Sequence, residues 1–272
     1  MPVLFDTGSS LMYVVSDKCD KELCPQEARF QASGSGDYRP NADGDKEPLG
    51  HCYGSGCVSG VLSKDTVCFA DKQCLSGAIF LAVDEASEID KDRFSGIVGL
   101  SPMSDVKRMP AFVEQIADLG GVGGKNFMKP MFSIYLSNKE QEPGKITFGG
   151  YDLAKYAKAG SQEKDIFWSE LAHARTYFWT LKMGQQLAFA DGKKLDVGSN
   201  IMILDSGVSY ALIPTEDFNK LSDVLSKNYG VTCKKGERQE ESNSQVSSSD
   251  CTCKDYSSLP ALKMTLFANK ED

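Results

Sequence analysis

A mostly β chain with a few short helices is the fold class this sequence predicts, and three observations carry it. An apolar lead-in followed by Asp, a small hydroxyl residue and Gly occurs twice, as Val3-Leu4-Phe5-Asp6-Thr7-Gly8-Ser9-Ser10 and as Ile201-Met202-Ile203-Leu204-Asp205-Ser206-Gly207-Val208-Ser209. Short apolar runs bounded by Gly, Pro, Asn, Asp and Ser recur along both halves, which is the pattern of strands joined by turns. Helical spacing of apolar residues is read in two places, Pro110 to Gly120 and the stretch after Thr215.

The repeated element has a physical logic. An apolar run wants to be a strand inside a core, and the Asp that ends it stands where an ionised carboxylate is costly unless hydrogen-bonded. The Thr or Ser and the Gly that follow supply relief, because Gly turns tightly and lets backbone N–H groups approach the carboxylate. One such element alone is commonly an ordinary turn. Two with matching lead-ins point instead to a pair of facing carboxylates, which cannot both ionise, share one proton and can bind a water between them.

In chain order, Val3 to Phe5 and Leu11 to Val15 read as strands flanking the first turn. Asp17 to Gly50 is polar and rich in Gly, Pro and Asp, a surface loop with short strands at most. His51 to Leu62 gives two β-like arms around a glycine-rich turn, a hairpin whose tip bends easily, as a lid must. Val61 to Phe69 and Gly77 to Val83 continue as strands. In Gly96-Ile97-Val98-Gly99-Leu100 the glycines let two backbones pass closely. Pro110 to Gly120 is an amphipathic helix with Pro early and Gly after its end. Met131 to Leu136 and Lys145 to Phe148 are strands, with Gly149-Gly150 a turn. A boundary near Asp165 divides the chain into 1–164 and 165–272. Trp179 to Met183 and Gln186 to Phe189 lead to the second Asp turn. A helix then begins at Thr215-Glu216-Asp217 with an N-cap and acids in its first turn; Phe218, Leu221, Val224 and Leu225 form its buried face, and Gly230 stops it. Lys234 to Asp250 is a solvated loop, and Leu259 to Phe267 is one more strand.

Composition narrows the function classes. The chain has 272 residues, 41% hydrophobic and 25% charged, in the range of soluble globular proteins. A net charge of −8 and a pI near 5.0 argue against nucleic acid and anionic membranes as partners. No apolar run approaches the ~18 residues of a membrane span. Nine cysteines fall mostly in close pairs, Cys19 with Cys24, Cys52 with Cys57, Cys68 with Cys74, and Cys251 and Cys253 with Cys233 upstream. Loop-closing disulfides in an oxidising compartment explain that spacing. Cys52 and Cys57 bracket the four-residue hairpin tip, and a disulfide there would stiffen the neck of the lid. Cys233 has two candidate partners, Cys251 and Cys253. A metal site is not expected, since no Cys-x-x-Cys occurs and only His51 and His173 could assist. Neither His stands in a nucleophile context of the Ser-His-Asp kind.

Asp6-Thr7-Gly8-Ser9-Ser10, Asp205-Ser206-Gly207, Tyr53-Gly54-Ser55-Gly56 and Gly96-Ile97-Val98-Gly99-Leu100 resemble, in order and over essentially the whole chain, the eukaryotic pepsin-like aspartic proteases. The resemblance implies a bilobal acid-protease fold and an aspartic endopeptidase, monomeric and free of cofactors, that cleaves peptides or proteins at acidic pH. It assigns Asp6 and Asp205 as the catalytic pair. Gly8, Ser9, Tyr13, Tyr53, Gly54, Ser55, Phe94, Ile97, Gly207, Val208 and Ser209 become substrate-binding positions. Cys19–Cys24 resembles a small disulfide loop of the family, and Cys253 a family cysteine whose partner lies further along the chain. A secreted, lysosomal or vacuolar location follows from the same likeness. Against the family pattern the sequence reads as truncated at both ends, since Met1 stands four residues before Phe5 and the second apolar-Gly run is missing.

Two departures matter. Tyr13 stands where the family has a Trp that bonds the lid tyrosine; a phenol keeps that link in altered form, or Tyr13 is plain strand packing. Phe94 and Ile97 are likewise either pocket wall or simple core. Val208 replaces a Thr that would donate to the Asp205 carboxylate, which raises its pKa and makes the pH optimum less acidic. The alternative to an enzyme is a catalytically impaired fragment or pseudo-protease that binds peptides without turnover.

Overall fold

The apolar lead-in to the first Asp forms strand β1 (Leu4–Asp6), and the run after the turn forms β2 (Met12–Val15), buried throughout. The structure, a computed structural model, describes residues 1–53, 56–70, 73–87, 94–119, 129–139, 141–173, 176–235 and 249–267. The chain divides into two compact units: Met1–Phe167 with Arg175–Trp179 and Asp205–Gly207, and Trp168–Ala174 with Thr180–Leu204 and Val208–Asp272. The second Asp turn therefore groups with the first unit.

In the first unit β3 (Arg39–Pro40), β4 (Leu49–Tyr53), β5 (Gly56–Ala70), β6 (Gln73–Ser87) and β7 (Gly96–Gly99) join β1 and β2 in a seven-stranded sheet of order β1-β7-β2-β6-β5-β3, with β4 paired to β5. β7 lies between β1, to which it is parallel with Gly99 opposite Asp6, and β2, to which it is antiparallel with Ile97 opposite Tyr13. Only glycine allows this. A Cβ on Gly99 would run into the backbone of Ser9 to Leu11, and one on Gly96 into the backbone of Tyr13. The Leu100 N–H then donates to the Asp6 carbonyl at 2.7 Å and the Ser101 N–H to the Ser9 carbonyl at 3.0 Å, which fixes the turn between β1 and β2.

β5 and β6 run 15 residues each, longer than their apolar cores suggest. Bulges at Ser59/Gly60 and Asp65/Val67 absorb the twist of such long strands, and the Cys68–Cys74 disulfide ties them near their turn. Helix α1 (Phe112–Leu119) packs Phe112 and Ile116 into the core. Gln115 on the same face is almost fully buried, and is satisfied by accepting from Ile79 N–H at 2.7 Å and donating to the Ile79 and Pro110 carbonyls. β8 (Phe132–Tyr135) and β9 (Lys145–Phe148) form a separate hairpin. A one-turn helix α2 (Leu153–Tyr156), too short to leave a periodic signal, is capped by the Asp152 carboxylate, which accepts from Lys155 N–H at 3.1 Å.

The second unit contains β10 (Thr180–Lys182), β11 (Gln186–Phe189), β12 (Lys194–Asp196), β13 (Ile201–Ile203), α3 (Thr215–Tyr229), β14 (Thr232–Lys235), β15 (Ser249–Thr252) and β16 (Leu262–Lys263), in three small sheets, β10-β13, β12-β11-β16 and β14-β15. Three expectations change here. Pro214, not Thr215, is the N-cap of α3 and gives no side-chain bond; Asp217 in the first turn instead turns away to accept from the Gly198 and Ser199 N–H groups and the Ser199 hydroxyl at 2.7 to 3.0 Å. Those bonds, the Ser199 hydroxyl first, hold its carboxyl below the usual range. Gly230 does end α3, in the left-handed conformation. Lys234 to Asp250 is not wholly loop, because pairing of Cys233 with Cys251 extends strands to Lys235 and from Ser249; residues 236–248 lie outside the described residues. Leu259 to Phe267 shrinks to β16 and a single Met183–Leu266 bridge, since Pro260 has no N–H to give and Met264 stays exposed. No helix of the described residues is long and apolar enough to cross a membrane.

Gly99→Ala should lower the unfolding free energy of the first unit by about 1–3 kcal/mol, the usual range for forcing a methyl into a packed site. Chemical denaturation followed by tryptophan emission checks this. An unchanged midpoint would mean that β7 does not hold the Asp6 turn tightly.

Candidate active site

The two Asp turns make the same local bond. Gly8 N–H donates to Asp6 Oδ1 at 2.9 Å, and Gly207 N–H donates to Asp205 Oδ1 at 2.8 Å, so each carboxylate is held by the glycine two residues on. The hydroxyl residues between them bond across the copies. Thr7 N–H donates to Ser206 Oγ at 3.0 Å, Ser206 N–H donates to Thr7 Oγ1 at 2.8 Å, and Ser206 Oγ donates to the Phe5 carbonyl at 2.8 Å. The carboxylates cross in the same reciprocal way. A Cβ on Gly8 would overlap the Asp205 carboxylate, and a Cβ on Gly207 would overlap that of Asp6.

The electrostatics of the two are unequal. Asp6 is buried, whereas Asp205 keeps an exposed flank and turns its carboxyl end onto Gly8. Partial burial of that end pushes the Asp205 carboxyl up, the Gly207 N–H pulls against it, and the charge and hydrogen bond of Asp6 push it further. A proton on Asp205 is thus retained to higher pH than on a free carboxyl.

Tyr13 and Tyr53 stand near enough to Asp6 to feel its charge. Their ring centroids lie 5.9 Å apart and tilted, and the His51 ring meets Tyr53 edge-on at 4.9 Å. Burial, then the charge of Asp6, pushes the Tyr13 phenol up to about 12; Tyr53 is raised further by burial, with Tyr13, Asp6 and Asp105 adding to it. The Tyr53 hydroxyl is buried with no hydrogen-bond partner among the described residues, so ring packing rather than a phenol–phenol bond joins the two tyrosines. Gly54 and Ser55, the expected lid tip, lie outside the described residues.

The other expected positions are scattered in role. Ser9 Oγ is buried and has no hydrogen-bond partner among the described residues. Ile97 is buried, and half-buried Phe94 packs against the same core. Val208 is half-buried and Ser209 exposed, both in the second unit. Disulfides join Cys19–Cys24, Cys52–Cys57, Cys68–Cys74 and Cys233–Cys251, and Cys253 is free.

Sequence reasoning missed several supports. Ser10 Oγ donates to the Asp105 carboxylate, locking the end of the first turn to the segment after β7. Trp179 Nε1–H donates to the Leu100 carbonyl at 2.7 Å and its ring meets Phe132 edge-on at 5.6 Å, tying 176–179 to the end of β7. Thr7 and Ser206 were visible as the middle residues of the repeat, yet nothing in the spacing told that they bond to each other. Among the described residues no cluster of three or more His, Cys, Asp or Glu could hold a metal ion.

With this geometry in hand, the comparisons are decisive: the sequence model of the eukaryotic aspartyl proteases matches residues 1–271. The chain belongs to that family. Within the eukaryotic aspartyl proteases it is 28% identical to pregnancy-associated glycoprotein 4 of Ovis aries over 243 residues (85% of this chain, 57% of that protein). It is 27% identical to human gastricsin over 222 residues (80% and 53%) and 29% identical to vacuolar protease A of Aspergillus fumigatus over 269 residues (97% and 59%). The chain thus spans a little over half the length of the curated relatives it matches. The mostly β architecture is that of the pepsin-like members.

Thr7→Val should leave the part-buried Ser206 N–H without its acceptor and destabilise the protein by about 1 kcal/mol, the low end of the penalty for an orphaned donor. Urea unfolding measures it. A loss no larger than that of an exposed Thr→Val control such as Thr215→Val would show that the crossed bonds carry little of the fold.

Proposed function

We propose that the chain is an aspartic endopeptidase whose catalytic pair is Asp6 and Asp205. The observation that carries this reading is the reciprocal crossing, each carboxylate lying over the glycine of the opposite turn. A water held between the carboxyls loses a proton to the ionised one as its oxygen attacks a peptide carbonyl, and the protonated one donates to the carbonyl oxygen. The carboxyl that took the water's proton passes it to the nitrogen as the C–N bond breaks, the other carboxylate takes back a proton from the tetrahedral species' hydroxyl as the C=O reforms, and no covalent enzyme intermediate is formed. The substrate is a peptide in extended form, its backbone hydrogen-bonded to the Tyr53 hairpin and the Gly8 and Gly207 turns as an added strand would be. The segments 1–164 and 165–272 are read as two related lobes, each contributing one Asp. An oxidising compartment of the secretory or vacuolar system suits four disulfides.

The sign of the pH response follows from the shared proton. As pH rises through the upper apparent pKa of the pair, the proton on the general acid is lost and the rate falls. As pH falls through the lower one, the general base is protonated and the rate falls again. Casein or haemoglobin should be cleaved in acid and protected by a statine inhibitor, and Asp205→Asn should lower kcat by roughly 10²- to 10⁴-fold, the contribution of a positioned acid–base group. Full activity in Asp205→Asn would sink the assignment.

Val208 supplies no hydroxyl three residues after Asp205. Val208→Thr adds a donor able to stabilise the charged carboxylate, which lowers its pKa. The kcat/KM profile should move to lower pH, and a profile that stays in place would exclude any effect of this position on the pair.

A further inference from the structure

The hairpin that carries Tyr53 has few means of holding its shape. Among the described residues β4 is paired with β5 alone, through Leu49–Gly60, Gly50–Ser59, His51–Val58, Cys52–Cys57 and Tyr53–Gly56. Cross-strand side-chain pairs are what stabilise such a ladder. Here three of the five have a glycine on one side, which leaves His51–Val58 and the Cys52–Cys57 disulfide. Tyr53 packs against the main core and meets the rings of His51 and Tyr13, but these contacts are not directional, and its hydroxyl has no partner among the described residues. The disulfide is the next residue pair along, and Cys57 is also opposite Ser87 on β6, so the bond ties the end of β4 to the main sheet.

We propose that the Cys52–Cys57 disulfide is the positioning element for Tyr53, and that its reduction loosens the hairpin's grip on a bound peptide and makes the site responsive to thiol reductants. The binding part of this rests on the peptidase reading above; the positioning part does not. Cys52 is exposed, so a sulfur can be reached. With a dithiol, one thiolate attacks Cys52 Sγ and Cys57 leaves as a thiolate that takes up a proton. The second thiol of the reagent then attacks the mixed disulfide and releases Cys52. Two electrons pass to the protein, and the dithiol becomes a cyclic disulfide.

The fold supplies a matched control. Cys68–Cys74 also bridges opposing strands, with Cys68 exposed and Cys74 half-buried, but it joins β5 and β6, which are already paired along nearly their whole length. The test compares wild type, Cys52→Ser/Cys57→Ser and Cys68→Ser/Cys74→Ser, each with and without dithiothreitol followed by alkylation. Hydrogen exchange over residues 49–60 and KM for a fluorogenic peptide are measured. Reduction should speed exchange and raise KM roughly 10- to 100-fold, the scale set by ångström-sized misplacement in a site, with kcat changed far less. The Cys52/Cys57 variant should start in that state and respond no further to the dithiol, while the Cys68/Cys74 variant behaves as wild type. A Cys52/Cys57 variant with wild-type exchange and KM, or one that still responds to reduction as wild type does, overturns the proposal. If that variant does not fold, alkylated wild type gives the same exchange reading. If no form cleaves any peptide, the peptidase reading fails, and the exchange over 49–60 still decides the positioning claim.

Discussion

Two carboxylates do not stay pressed toward each other by attraction; the chain must hold them there. In this protein the crossed bonds of Thr7 and Ser206 do so, each hydroxyl accepting from the other's backbone N–H. They bring two turns 199 residues apart into register, and each glycine beside them leaves room for the carboxylate of the opposite turn. On the proposed reading, that fixed separation is what would let one proton serve both groups, since the energetic penalty of a second charge falls with distance.

The two turns are supported unequally. The Asp6 turn is clamped by β7, which fills the gap between β1 and β2 and bonds to Asp6 and Ser9 through Leu100 and Ser101. The Asp205 turn follows β13, which among the described residues pairs with β10 only and leaves Ile203 and Leu204 about half exposed, at 48% and 47%. The geometry of the second Asp therefore leans on the first turn. Thr7, Ser206 and Phe5 are the points where that support is transmitted, and the unequal burial of the two carboxyls follows from it.

Much of this was legible from residues whose chemistry is local. The duplicated Asp turn, the glycines of Gly96 to Leu100, the hairpin around Tyr53 and the Gly230 stop each announce a backbone requirement that few other residues meet. What escaped was set by partners distant in sequence. Asp217 looks like an ordinary first-turn acid until Gly198 and Ser199 come within reach of it. Gln115 interrupts an apolar helix face and is tolerated only because Ile79 and Pro110 satisfy its amide. Asp105 gives no local sign of meeting Ser10. Leu259 to Phe267 reads as a strand by composition, and whether its bonds are satisfied depends on neighbours that composition does not name.

Tyr13 and Tyr53 differ from the carboxylates in what holds them and in when they change charge. A buried phenol beside Asp6 is pushed up to about 12, and Tyr53 is raised still more, so neither changes charge where the carboxylate pair exchanges its proton. Because ring packing and not a hydrogen bond joins them, Tyr13 exerts little directional control over Tyr53. Besides its packing against the core, Tyr53 is constrained through the backbone of β4, where the covalent bond lies one residue away. On the proposed reading the proton is supplied by Asp6 and Asp205 while Tyr53 is positioned through Cys52 and Cys57, so conditions that titrate the carboxyls need not disturb the hairpin.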